Sequence, residues 1–231
     1  GKTFFIAHAF LNKEDETVFA WAVQHLLAAL GFHPSVFVID CDAALLNAIE
    51  RHSRAHVFLC RWHVQKNIKQ HFLNLSTGRV SLERQQAIMR AWKEVMASKT
   101  EAAYAANLAA FFRLADNAAF AQYVARVWAP QRRRIVACWT DAVMHFGTTS
   151  TSRVEGAHWA LKLHISSSVG TLHHAGRRII AYLNTAMSEL ELQTQTELRR
   201  VVVVTRHSPL FVQVRFMSLI YRILLSSSGC S

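Results

Sequence analysis

With 231 residues, 52% of them hydrophobic, the chain is long enough to bury one substantial core. Its formal net charge of +11, from 26 Lys and Arg against 15 Asp and Glu, favours a polyanionic partner, nucleic acid ahead of an anionic membrane surface. No run reaches the roughly 20 apolar residues of a membrane-spanning helix, since Arg215 and Arg222 interrupt the apolar C-terminal stretch. Four irregularly spaced cysteines (Cys41, Cys60, Cys138 and Cys230) make no disulfide framework and suit a reducing compartment. The opening Gly1-Lys-Thr-Phe-Phe-Ile has neither a Met nor a signal-peptide cleavage site, as expected of a piece of a longer chain.

Residues 3–10 read as a strand. Over residues 14–30, Val18, Trp21, Ala22, His25, Leu26 and Ala29 recur at helical spacing, and Gly31 is a stop. Pro34 precedes a β-branched run, Val36 to Ile39, that predicts a second strand. Leu45, Leu46 and Ile49 give the next helix its buried side, and His56 to Leu59 predicts another short strand. From Arg61 the period is helical again. Val64, Ile68 and Phe72 form one face, and His63, Lys66, Asn67 and Gln70 the other. Strand–helix–strand–helix in so short a space argues for parallel pairing in an α/β sheet.

Composition changes at Ser76-Thr-Gly78. Residues 81–145 are Ala-rich, aromatic and helical, and read as an inserted or appended helical lobe. Gly147 and the run Thr148-Thr-Ser-Thr-Ser152 end it. A helix then opens at Arg153, another covers 171–199, Val201 to Val204 is strand-like, and 226–231 reads as a disordered tail. Four regions result: 1–75, 76–146, 147–200 and 201–231.

Few residues in this pattern carry chemistry, and each has a plain structural alternative. Asp40 ends a strand where a helix begins; it is either a metal-binding carboxylate or a helix N-cap, a role Asp42 could fill instead. Cys60-Arg-Trp-His63 is half of a zinc-site spacing with no second pair at a matching offset, so a small buried Cys and a polar His serve equally well. Ser152-Arg-Val-Glu155 is a capping-box pattern. Yet Glu155, His158, Trp159 and Lys162 fall at i, i+3, i+4 and i+7, an odd stripe for a core face. Arg132, Arg133 and Arg134, flanked by Trp128 and Trp139, suit phosphate contact with base stacking or a solvated helix start.

Four blocks occur in order: Lys2-Thr-Phe-Phe-Ile-Ala-His-Ala-Phe-Leu11, Phe37-Val-Ile-Asp40-Cys-Asp-Ala-Ala-Leu45-Leu-Asn-Ala-Ile49, Leu59-Cys-Arg-Trp-His63-Val-Gln-Lys-Asn67 and His145-Phe-Gly-Thr-Thr-Ser-Thr-Ser152-Arg-Val-Glu155-Gly-Ala-His158-Trp-Ala-Leu-Lys162. Together they resemble the Mutator-like (MULE) transposases over about residues 2–190. The resemblance implies an α/β, RNase H-like core of the DDE type with an all-helical insertion at about 76–145. Asp40 matches the family's second catalytic Asp and Glu155 its Glu. Cys60 and His63 match the Cys-x-x-His signature between them, and His158 belongs to the Glu-bearing block. The implied chemistry is two-metal phosphoryl transfer, with carboxylates holding two Mg²⁺ (or Mn²⁺) ions about 3.5–4 Å apart.

The implied partner is DNA, both transposon ends and target. Lys66, Arg132, Arg133, Arg134, Arg153 and Lys162 are the basic side chains offered to it. A nuclear location follows, no membrane is involved, and homo-oligomer formation is left open. The chain departs from the pattern at its start. It begins at the family's third strand, and no Asp precedes Asp15, so the first catalytic Asp and the first strands are missing. The expected function is a transposase fragment inactive as it stands. The alternatives are a domesticated, non-catalytic DNA-binding module and, more distantly, a zinc-dependent protein using Cys60 and His63.

Overall fold

Asp15 opens the first helix, α1 (Glu16–Leu30), by accepting the Val18 N–H on its carboxylate at 2.9 Å. Gly31 closes it at φ +66°, a left-handed conformation that glycine adopts without steric cost. The computed structural model to which this helix belongs describes Ala7, residues 9–165 and residues 171–204. The chain divides into two compact units, one reaching to Trp159 and the other starting at Ala160.

In the first unit, α1 is followed by β1 (Val36–Ile39), α2 (Ala43–His52) and β2 (His56–Leu59). The strands pair in parallel, from Val36 opposite His56 to Ile39 opposite Leu59, as the alternation of short elements predicts. The Glu16 carboxylate ties α1 to α2 through an ion pair with Arg51 and a hydrogen bond from the Asn47 amide at 3.1 Å. The packed stripe of α1 differs from the expected one: Val23 and Leu27 join the core, while Trp21 is 50% exposed and His25 is also exposed. The helix is apolar on several sides, so its docking against α2 selects the stripe, and its own periodicity does not.

Six helices complete the middle of this unit: α3 (Arg61–Leu75), α4 (Leu82–Ala97), α5 (Glu101–Ala115), α6 (Ala118–Val127), α7 (Arg132–Ile135) and α8 (Ala137–Thr140). Ser81, Thr100 and Asn117 cap α4, α5 and α6, accepting the N–H groups of Arg84, Ala103 and Phe120. The predicted faces meet in one place. Val64, Ile68 and Phe72 of α3 are all buried. Phe72 packs on Phe120 at 5.2 Å between ring centroids, Phe120 on Phe111 at 5.8 Å, and Phe111 on Trp92 at 5.2 Å. Ile39, Val57 and Leu59 of the sheet belong to the same buried cluster. The helical segment shares its core with the strands.

Asp141, just after α8, is a polar counterpart to this packing. Lys99 Nζ donates to it at 2.5 Å and His145 Nε2 lies 3.3 Å away. The Lys99 hydrogen bond, foremost, holds the Asp141 carboxyl below its ordinary value. A carboxyl whose folded value is depressed contributes stability above its unfolded value and loses it as pH falls through the folded one. We expect Asp141→Asn to shed part of the acid destabilisation of the parent protein. Thermal melts from pH 7 down to pH 3 should show a shallower fall for the variant, and parallel falls would contradict the assignment.

The second unit holds the end of α9 (Ser152–Ile165), the helix that begins in the first unit, and the long α10 (Leu172–Val204). Within it, Arg178 donates to the Ile165 carbonyl at 2.6 Å, and the His164 and Tyr182 rings meet at 4.5 Å.

One strand expectation is corrected. Val201 to Val204 forms the end of α10, because the helix-favouring run Glu197-Leu-Arg-Arg carries the helix forward and no strand among the described residues pairs with it. The expected strand at 3–10 lies mostly outside the described residues, with Ala7, Ala9 and Phe10 described as exposed, and the tail at 226–231 lies outside them too. The architecture is thus α/β but mostly helical, with a two-stranded parallel sheet among the described residues. No helix among them is long and apolar enough to cross a membrane.

Candidate functional site

The parallel register sets the site. Ile39 lies opposite Leu59, so the residues that follow, Asp40 and Cys60, leave the sheet at the same edge. The Cys60 N–H donates to the Ile39 carbonyl at 2.7 Å and fixes them side by side. Asp42 caps α2, accepting the Leu45 N–H at 2.7 Å, which leaves the Asp40 carboxylate for other partners. Cys60 is fully buried at the start of α3. His63, in the first turn of that helix, turns back over the strand ends, its ring held edge-on by Trp62 at 4.6 Å.

A second segment arrives from far along the chain. The Arg61 N–H donates to the Thr149 carbonyl at 3.0 Å. Thr151 then donates twice, its N–H to Cys60 Sγ at 3.3 Å and its hydroxyl to Asp40 Oδ1 at 2.8 Å. The Thr151 carbonyl accepts the Glu155 N–H at 3.0 Å, so Thr151, not Ser152, stands at the cap of α9. The expected capping box is replaced by a different contact. Glu155 Oε1 faces His63 Nε2 at 3.5 Å.

His63 thus sits between two carboxylates, with Nδ1 2.9 Å from Asp40 Oδ1 and Nε2 toward Glu155. The Asp40–His63 approach lacks the angle of a hydrogen bond, and Nδ1 is enclosed without a hydrogen-bond partner. Asp40 and Glu155 are about half exposed, at 52% and 48% of their side chains, and His63 is 21% exposed. Burial, followed by the neighbouring Cys60 and Asp40, pushes the Cys41 thiol up to about 12, so it stays a neutral thiol beside the site.

Behind the site Arg61 acts as a clamp. Its Nε donates to the Ile135 carbonyl at 2.9 Å and a terminal nitrogen to Thr140 Oγ1 at 3.0 Å. Burial lowers the Arg61 value, and the Asp141 charge opposes that shift.

The structure therefore brings Asp40, Cys60, His63 and Glu155 together. Thr151 and Arg61 join them, although neither stood out in the sequence. The one hint was Thr151's place in the Thr/Ser run just before Glu155. His158 is exposed one turn beyond Glu155, with Trp159 also exposed beside it.

The basic residues divide. Lys66 Nζ lies over the Trp62 ring at 5.4 Å, and the Arg132 guanidinium over Trp139 at 5.8 Å. Arg133 and Arg153 are exposed. Arg134 instead binds Glu50 at 2.6 Å and Gln131 at 2.8 Å, joining α7 to α2, a structural engagement that the sequence did not suggest. Lys162 is exposed in the second unit.

The donor set decides what ion the site can hold. One oxygen of Asp40, one sulfur of Cys60 and one nitrogen of His63 lie within 4.8 Å of one another. Mg²⁺ takes oxygen ligands in near-octahedral array, so this trio does not fit the paired magnesium implied by the resemblance, and the His63 ring occupies the space between the two carboxylates.

Residues 1–67 match the family model of the MULE transposase domain. No curated protein and no solved structure matches the chain. The matched segment carries Asp40, Cys60 and His63, and over it the chain is similar to the MULE transposase domain.

Proposed function

We propose that this chain engages DNA as part of a transposase catalytic domain and does not itself transfer strands. The observation that carries this is the convergence of Asp40 and Glu155, from β1 and α9, on the two nitrogens of one imidazole. On this reading β1–α2–β2 is a piece of an RNase H-like sheet, Asp40 and Glu155 are two of its catalytic carboxylates, and the substrate is transposon-end and target DNA in the nucleus. Two features of the site argue against turnover in this form. Two carboxylates among the described residues cannot readily hold two hard cations, and His63 stands between them.

DNA engagement has its own support. The net charge is +11, and Lys66 and Arg132 are each paired with a ring able to stack on a base. Neutralising a phosphate contributes about −0.9 to the slope of log affinity against log salt, so contacts from Lys66, Arg132, Arg133 and Arg153 would give a slope of roughly −3 to −4.

Fluorescence anisotropy with a labelled duplex should show that slope, and Arg132→Glu with Lys66→Glu should flatten it by about 2 or more. Binding indifferent to salt would remove the DNA reading. Mg²⁺-dependent nicking or joining that disappears in Glu155→Gln would overturn the claim of inactivity.

A further inference from the structure

The geometry points to a three-ligand site for a thiophilic divalent cation of the Zn²⁺ class, made by Asp40, Cys60 and His63, with Glu155 as the outer partner of His63. The assignment goes beyond the DNA reading and stands without it. It rests on the ligands and on what surrounds each of them.

Carboxylate oxygen, thiolate sulfur and imidazole nitrogen form a borderline-soft set that suits Zn²⁺ and not a hard cation. The three donor atoms already lie within 4.8 Å of one another. Bonds of about 2.0–2.3 Å in a tetrahedral array place neighbouring donors about 3.3–3.8 Å apart, a change that side-chain rotation can supply. His63 Nδ1 is enclosed, makes no hydrogen bond, and stands 2.9 Å from Asp40 Oδ1 off any hydrogen-bond angle. A small opening of that pair would let both atoms bind one cation.

Each donor also has the neighbour that a metal ligand needs. The Thr151 N–H points at Cys60 Sγ at 3.3 Å, a contact that steadies a thiolate. The Thr151 hydroxyl orients Asp40 at 2.8 Å. His63 directs its far nitrogen, Nε2, at the Glu155 carboxylate 3.5 Å away, the carboxylate–histidine–metal arrangement that fixes the tautomer with Nδ1 free to bind. Binding deprotonates Cys60 outright. Three protein ligands would leave a fourth position for water, and Asp40 is half exposed.

Cobalt(II) is the probe, added to the whole purified chain after chelator treatment. The expected result is one tightly bound equivalent with a near-ultraviolet thiolate-to-cobalt band, displaced by equimolar Zn²⁺ and untouched by excess Mg²⁺. Cys60→Ser should abolish the band, and Cys41→Ser should leave it intact. His63→Gln, at a partly exposed position, guards against a Cys60 variant that fails to fold and should weaken binding at least tenfold. Glu155→Gln should weaken it about 10- to 100-fold, as removal of an outer-shell partner does.

No thiolate band, a band that survives Cys60→Ser, full affinity in His63→Gln, or displacement by Mg²⁺ would each overturn the site. The anisotropy titration separates the two readings. Cobalt binding without DNA binding retires the DNA reading alone, and DNA binding without the thiolate band retires the metal site alone.

Discussion

Phe111→Ala is expected to cost about 3–5 kcal/mol of unfolding free energy, the range for truncating a fully buried phenylalanine. Phe111 is completely buried and packs against Trp92, Phe112 and Phe120 at centroid distances of 5.2, 5.9 and 5.8 Å. Two other helices, α4 through Trp92 and α6 through Phe120, lean on that one ring of α5, so neither can move into the vacated space without breaking another contact. Urea titration of the parent and the variant, compared at their midpoints with the slopes checked for equality, reads the loss. Phe112→Ala, at the neighbouring but partly exposed position, serves as the control and should cost distinctly less. A loss at Phe111 no greater than at Phe112 would contradict the packing described.

Arg61→Lys should be the second most damaging change, although it keeps the charge. The guanidinium of Arg61 satisfies a backbone carbonyl on α7 and a hydroxyl on α8 from two different nitrogens. A lysine presents one point charge on a flexible stem and cannot span both acceptors. The Ile135 carbonyl or the Thr140 hydroxyl is then left without its donor in a buried setting, where each lost charge-assisted bond contributes about 1.5–3 kcal/mol. Because burial already lowers the Arg61 value, the charge is carried at some cost that these bonds offset. A drop in the urea midpoint equivalent to at least about 1.5 kcal/mol is the expected outcome. A variant as stable as the parent would show that the clamp is ornamental.

Much of the local structure could be read in advance where one period dominates. Val36 to Ile39 and His56 to Leu59 are short β-branched or apolar runs between turn signals, and both strands occupy those residues. Val64, Ile68 and Phe72 fix the buried side of α3 because His63, Lys66, Asn67 and Gln70 make the other side largely polar. Periodicity failed where it was ambiguous. In α1 two apolar stripes compete and α2 chooses between them. At Val201 to Val204 β-branched residues follow a strong helix, and helix propagation outweighs strand propensity without a neighbouring strand to pair with.

The site was legible residue by residue but not as an arrangement. Asp40, Cys60, His63 and Glu155 stood out individually. That an imidazole bridges the two carboxylates depends on how α9 is brought to the strand ends. The fastening works through groups with no sequence signature, the Thr151 backbone N–H and an Arg61 side chain that reaches 74 and 79 residues along the chain.

The shared aromatic core between the strands and the helical segment bears on how such a sequence can decay. Residues 76–146 look like a detachable cassette, yet Phe120, backed by Phe111, packs on Phe72 of α3, the helix that presents His63. A copy that lost the cassette would leave Phe72, Ile68 and Val64 facing water, and would lose Ile135 and Thr140, the anchors of the Arg61 clamp. Excision would therefore erase the carboxylate–imidazole site even though Asp40, Cys60, His63 and Glu155 all lie outside the excised stretch. In this chain the helical segment and the carboxylate–imidazole arrangement stand or fall together.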